Sequence, residues 1–182
     1  MARVLVPIAE GCEELEAVTI IDLLRRANID VITAGLKSGP VTCSRNTVLL
    51  PDTTLDEVMN TEFDMIVLPG GLPGSDHLNN DPRIHTLLLS AAKDGKYTAA
   101  ICAAPKVLAS SGLLDGKQAT SYPGALNVEA LPTTVITTEA VSLDGMVITS
   151  RGPGTAMDFA LQLIEILKGR DARKAVEEPL LR

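Results

Sequence analysis

The chain has 182 residues, of which 46% are hydrophobic and 2% aromatic, and a formal net charge of −7. That length suits a single domain over residues 1–182 with a sizeable core, which must be aliphatic. The acidic balance, with no basic run, excludes a nucleic-acid partner held through its phosphates, and no apolar stretch approaches the ~20 residues of a membrane span.

In chain order, Met1–Pro7 is too short for a secretory h-region and soon meets Glu10, Glu13 and Glu14, so a cytoplasmic location is expected. Val4 to Ile8 has the apolar run of a buried strand. A helix is predicted from Glu13 to Ala27, with Ala17, Ile20, Ile21, Leu24 and Ala27 at helical spacing. Arg25 and Arg26 suit its negative end. Asp30 to Ala34 returns as a strand, giving a parallel pair with a right-handed crossover. Val41–Cys43 and Thr47–Leu50 are expected to form a hairpin around Ser44-Arg45-Asn46, and Leu55 to Met59 a short helix. Met65–Leu68 reads as a fully buried strand, stopped by Pro69-Gly70-Gly71. After a Gly/Pro loop, Pro82 opens a helix that ends near Asp94-Gly95. Thr98–Cys102 is the next strand, and Pro105–Ser111 a helix ended by Gly112. Short strands follow around a turn at Asp144-Gly145. A long helix from Thr155 to Leu167 carries Phe159, Leu163, Ile166 and Leu167 on its apolar side. Alternating strands and helices predict an α/β fold: a mostly parallel sheet covered on both faces.

Three cysteines are present, Cys12, Cys43 and Cys102. An odd number argues against a disulfide framework, and two histidines without a CxxC pair leave little for zinc. Ligands of open α/β sheets sit beyond the carboxyl ends of strands. At that edge Cys102 ends a strand and Ala103-Ala104-Pro105 starts a helix at once. This resembles a nucleophile elbow: a nucleophile on a sharp strand-to-helix turn with small neighbours. Unpaired N–H groups at the helix start favour a thiolate. Together with those of Gly70 and Gly71, they form a candidate oxyanion hole that includes Ala103. The competing reading makes Cys102 a buried small hydrophobe. Cys12 and Cys43 lack the elbow and read as structural.

The string Ala99-Ala100-Ile101-Cys102-Ala103-Ala104-Pro105 resembles the cysteine elbow of the ThiJ/PfpI superfamily. Glu13-Glu14-Leu15-Glu16-Ala17-Val18, Thr42-Cys43-Ser44-Arg45, Val67-Leu68-Pro69-Gly70-Gly71 and Ser150-Arg151-Gly152-Pro153-Gly154-Thr155 resemble it too, in the family's order. The match runs from the first strand to the last helix and points to the branch of the Parkinson-disease-associated protein and bacterial YajL. It implies a flavodoxin-like three-layer sandwich, a homodimer, and an acid beside the cysteine at the position of Glu16. Helical spacing alone does not select that acid: at about 100° per residue Glu13 falls near the centre of the apolar stripe, with Glu14 and Glu16 at its two edges. The resemblance also places Arg45, Tyr122 and Pro153 around the pocket. Many relatives carry a histidine where Ser121-Tyr122-Pro123 has Tyr122, while YajL-like relatives have an aromatic there. Both histidines, His77 and His85, precede Cys102. His77 follows the Gly70–Gly74 loop and could approach the site; His85 reads as a surface residue.

Two activities follow from the resemblance. One is a glyoxalase or deglycase, acting on methylglyoxal, glyoxal or their early adducts, with Cys102 as nucleophile and Glu16 as proton carrier, and without metal or organic cofactor. The alternative is an oxidative-stress sensor or redox chaperone in which Cys102 is oxidised to sulfinate without turnover. A nucleotide-binding module has less support, since Pro69-Gly70-Gly71-Leu72-Pro73-Gly74 lacks the GxGxxG spacing and the P-loop lysine.

Overall fold

The computed structural model describes residues 1–181. The predicted parallel pair forms as β1 (Arg3–Ile8) and β2 (Asp30–Gly35), joined through α1 (Glu14–Arg26). A small hairpin follows, β3 (Val41–Thr42) with β4 (Val48–Leu49), then β5 (Thr53–Thr54) and α2 (Leu55–Val58). Next come β6 (Met65–Leu68), α3 (Gly74–Asn80), α4 (Pro82–Lys93), β7 (Tyr97–Ile101) and α5 (Pro105–Ser110). The C-terminal part adds β8 (Gln118–Ala119), β9 (Val135–Ile136), β10 (Val141–Asp144), β11 (Val147–Ser150), α6 (Ala156–Lys168) and α7 (Arg170–Glu177).

Seven strands form the central sheet in the order β10-β11-β7-β6-β1-β2-β5. Every neighbouring pair is parallel except β10 and β11. Strand alternation sends side chains to two cores. Val4, Val6, Ile8, Met65, Val67, Ala99, Ile101 and Ile148 pack under α1 and α6. Leu5, Ile66, Leu68, Ala100 and Val147 pack on the other face, under α2, α4 and α5. The result is the expected three-layer sandwich. Both cores are aliphatic apart from Phe63 and Phe159.

Two helices depart from the sequence reading. The Gly/Pro loop after β6 winds into α3, whose only large buried apolar residue is Leu78, too little for a periodic signal. α7 is polar nearly all round and buries Val176 alone; Arg173 pairs with Glu165 of α6 and Glu177 of α7. Ion pairs and packing on α6 fix it, and neither leaves an apolar stripe to read.

The topology also places the site. β2 and β5 lie on one side of β1, and β6, β7 and β11 on the other, so the strand order reverses between β1 and β6. Ligands bind at the carboxyl ends around such a reversal. Those ends lead into Glu16, Gly70 and Cys102.

Candidate active site

β7 stops at Ile101, one residue earlier than expected, and Cys102 opens the three-residue turn before α5. Its φ is 64°, a left-handed conformation that costs a non-glycine residue about 1–3 kcal/mol. The surroundings hold it there. The Cys102 N–H donates to the Ser150 carbonyl at 3.0 Å, and the Cys102 carbonyl accepts from the Tyr122 N–H at 2.8 Å. Cys102 keeps only 8% of its surface exposed.

Glu16, in the first turn of α1, is completely buried at 0% exposure. Its Oε2 accepts from the Gly70 N–H at 2.8 Å. Its Oε1 is buried without a hydrogen-bond partner, and the carboxyl is electrostatically coupled to the Cys102 thiol. Burial pushes the Glu16 carboxyl up to about 7, against the opposing pull of Cys102 and the Gly70 N–H. Burial likewise pushes the Cys102 thiol up to about 12, helped by the Glu16 charge and opposed by the Gly71 and Ala103 N–H groups. The expected stabilisation of a thiolate by the helix start is therefore outweighed while Glu16 is charged: α5 has only six residues, and desolvation dominates. The two groups behave as one site holding one proton over a broad pH range. When Glu16 carries that proton, the repelling charge is gone and its O–H can donate to the sulfur.

The residues expected around the site fall into two groups. The N–H groups of Gly71 and Ala103 point at the Cys102 sulfur. That of Gly70, expected among the oxyanion donors, is instead taken by Glu16. Gly70 is needed for another reason: a Cβ there would come within 2.6 Å of both Cys102 Cβ and Glu16 Oε2 and 2.9 Å from the Ile101 carbonyl. Gly70→Ala should accordingly destabilise the protein by about 1–3 kcal/mol through overpacking, read as a lower urea midpoint. An unchanged midpoint would show that the elbow yields freely.

Tyr122 lies beside the elbow through its backbone, with its ring against Gly152 and half of its surface exposed. Pro153 opens the short turn just beyond Ser150, the residue that holds the Cys102 N–H. Arg45 sits in the exposed β3–β4 turn, its N–H on Glu14 and its guanidinium folded back onto the Ser44 carbonyl. Nothing in these contacts brings it to Cys102.

Glu13 and Glu14 have a specific task. The Ser44 hydroxyl donates to Glu13 at 2.8 Å and to Glu14 at 3.0 Å, and Glu14 also accepts from the Arg45 and Thr47 N–H groups. Burial works against the Glu14 charge, but those donors hold its carboxyl down at about 2. Neither histidine contacts the pair. His77 Nδ1 lies 2.9 Å from the Glu10 carbonyl. His85, expected on the surface, is half-buried, with Nδ1 2.7 Å from Ser111 Oγ and Nε2 2.7 Å from the Asn79 carbonyl. Ser150 figures in the sequence only within a motif, which does not show its role: its carbonyl anchors the elbow from the neighbouring strand. That partnership depends on β7–β11 pairing and leaves no local signal.

An acid and a cysteine, brought together from two strand ends over a glycine loop, form the arrangement that the motifs foreshadow. The DJ-1/PfpI family description matches residues 2–166. The chain belongs to the DJ-1/PfpI family. Protein dj-1beta of Drosophila melanogaster is 45% identical over 178 residues, covering 97% of this chain and 95% of that protein. The crystal structure of Drosophila melanogaster DJ-1beta superposes with a TM-score of 0.93 at 44% identity, over 99% of this chain and 97% of that one. An oxidised Toxoplasma gondii DJ-1 structure also gives 0.93, at 35% identity, over 100% and 98%. A Caenorhabditis elegans relative named glutathione-independent glyoxalase DJR-1.2 is 36% identical over 179 residues, covering 98% and 95%. Among the described residues, no helix of this DJ-1/PfpI chain is long and apolar enough to cross a membrane.

Proposed function

We propose that the chain is a cysteine-dependent, cofactor-independent glyoxalase that also acts as a deglycase on early adducts of methylglyoxal or glyoxal. The observation that carries this reading is the fully buried Glu16 carboxyl set against Cys102, beside the Gly71 and Ala103 N–H groups. The Cys102 thiolate adds to the aldehyde carbon of methylglyoxal, and Glu16 gives its proton to the carbonyl oxygen. The Glu16 carboxylate so formed takes the proton from that carbon, giving an enediolate, and returns it to the neighbouring carbon while the hydroxyl proton passes to the neighbouring oxygen. The product is a thioester, which water cleaves to lactate and the free thiol. Gly71 and Ala103 hold the developing oxyanion. Deglycation starts with the same attack on a hemiaminal or hemithioacetal adduct.

Purified protein should convert methylglyoxal to lactate without glutathione or added metal; absence of lactate above the buffer rate would defeat the reading. In that assay Tyr122→Phe should slow turnover by no more than about tenfold. Tyrosine titrates near pH ~10 and is a poor base at neutral pH. Its hydroxyl can supply a neutral hydrogen bond worth roughly 0.5–1.5 kcal/mol, and ~1.4 kcal/mol is one decade. A deeper loss would give Tyr122 a share of the chemistry assigned to Glu16.

The redox reading has one observation of its own. Glu16 Oε1 is buried without a hydrogen-bond partner, so a protonated Glu16 can donate to an oxygen on Cys102 sulfur. Stoichiometric oxidation to sulfinate with no dicarbonyl turnover would favour it.

The assembly proposed with this function is a homodimer. Val18 on α1 and Leu50 just after the hairpin are exposed and line one shallow depression. Apolar patches of this kind mark protein contacts. Sedimentation at micromolar concentration should give a dimer, and a Leu50→Glu variant should shift it toward monomer. A monomeric wild type would overturn the assignment.

A further inference from the structure

A pair of thiols meets on the other side of the glycine loop. Cys12 lies in the turn between β1 and α1, and Cys43 directly follows β3. Their sulfurs are 3.5 Å apart, and the residues are 1% and 4% exposed. Both are free. The two segments, 31 positions apart, are clamped together by their backbones. The Gly11 N–H donates to the Thr42 carbonyl and the Ser44 N–H to the Cys12 carbonyl, both at 2.8 Å. The contact is thus held by hydrogen bonds on each side of the sulfurs.

A disulfide needs a sulfur separation of about 2.05 Å, so the pair has roughly 1.5 Å to close. The thiols are not equivalent. Burial raises the pKa of both, and the nearby charges of Glu13 and Glu14 add to it. The sulfurs lie within hydrogen-bond reach of each other, either able to donate, and Cys43 is the less shielded of the two. Cys43 is therefore the first to react and Cys12 the resolving partner.

We propose that Cys12 and Cys43 form a reversible intrachain disulfide, a redox centre separate from Cys102. The oxidant is a hydroperoxide. The Cys43 thiolate attacks one peroxide oxygen and the O–O bond breaks. With hydrogen peroxide, the departing hydroxide takes up a proton and leaves as water, and Cys43 becomes a sulfenic acid. The Cys12 sulfur then attacks the Cys43 sulfur. The S–S bond forms, the S–O bond breaks, and the hydroxide leaves as water with the Cys12 proton. In total two thiols give up two electrons and two protons, and one hydrogen peroxide becomes two waters. The bond ties the β3–β4 hairpin to the turn that packs against the glycine loop: a Cβ at Gly74 would lie 2.6 Å from the Cys12 nitrogen. Oxidation there bears on the backbone next to Gly70 and Gly71.

The test uses the full chain as wild type and as Cys102→Ala, which removes the third thiol. Each is treated with hydrogen peroxide, alkylated in denaturant, digested and mapped without reduction. The expected result in both is a peptide containing Cys12 linked to one containing Cys43, within a chain of monomer mass on a denaturing gel. In Cys102→Ala two thiols are lost and dithiothreitol restores both. Cys12→Ser with Cys102→Ala should give no link and should carry Cys43 on to sulfinic acid. Retention of both thiols, sulfinic Cys43 without a link in the wild type, or a link between chains would each overturn the proposal.

Discussion

Replacing Glu16 by glutamine should lower methylglyoxal turnover by about 10²–10⁴-fold, the usual cost of removing a general acid–base group. The substitution is nearly isosteric. The glutamine side-chain oxygen can still accept the Gly70 N–H that Glu16 holds at 2.8 Å, so the fold should persist. What disappears is the proton. Glu16 sits at about 7 and Cys102 at about 12, so the pair holds two protons below pH ~7 and one above it. Within the singly protonated pair, the form with its proton on Glu16 and its charge on Cys102 has both a nucleophile and an acid. The acid limb of kcat/KM should therefore rise through about pH 7 in the wild type. Glutamine does not titrate, so that limb should vanish in Glu16→Gln. Turnover close to wild type, or an unchanged limb, would remove Glu16 as the proton carrier. The redox reading forecasts the opposite for oxidation, because a glutamine N–H can still donate to a sulfinate.

Much of this architecture is legible in the residue pattern because it is local. The apolar runs at Val4–Ile8 and Met65–Leu68 need no partner to read as buried strands, and Pro105 after Cys102 marks a helix start without reference to the rest of the chain. The resemblance points to Glu16; periodicity alone places Glu13 nearer the centre of the apolar stripe. The structure separates the two by their partners. Glu16 is sealed against Gly70, while Glu13 faces the Ser44 hydroxyl. The contacts that decide the electrostatics are non-local. Gly70 and Glu16 are 54 positions apart, and Cys12 and Cys43 are 31 apart. No spacing rule joins them. For the same reason the elbow argument overstated the acidity of Cys102. Sequence shows the helix start that favours a thiolate; it does not show the burial that opposes it. α7 escaped because its stability comes from Arg173 and Glu165 across two helices.

Cys102→Ser should lose methylglyoxal turnover down to the rate of buffer alone, the largest effect of any single change. Serine keeps the size and the left-handed turn, and the backbone bonds to Ser150 and Tyr122 involve no side-chain atom, so the elbow should survive. Its hydroxyl, however, ionises far above the range of a thiol and is a weak nucleophile without an adjacent base. Glu16 cannot act as that base and also supply the acid for the same addition step. Neither histidine is placed to help: His77 lies against the Glu10 carbonyl, and His85 lies between Asn79 and Ser111. The loss should appear in kcat, with the far-ultraviolet circular dichroism and the urea midpoint near wild type. Activity surviving in Cys102→Ser would move the nucleophile elsewhere. Cys12 and Cys43 would then be the remaining thiols to test, although burial holds the pKa of both above that of a free cysteine.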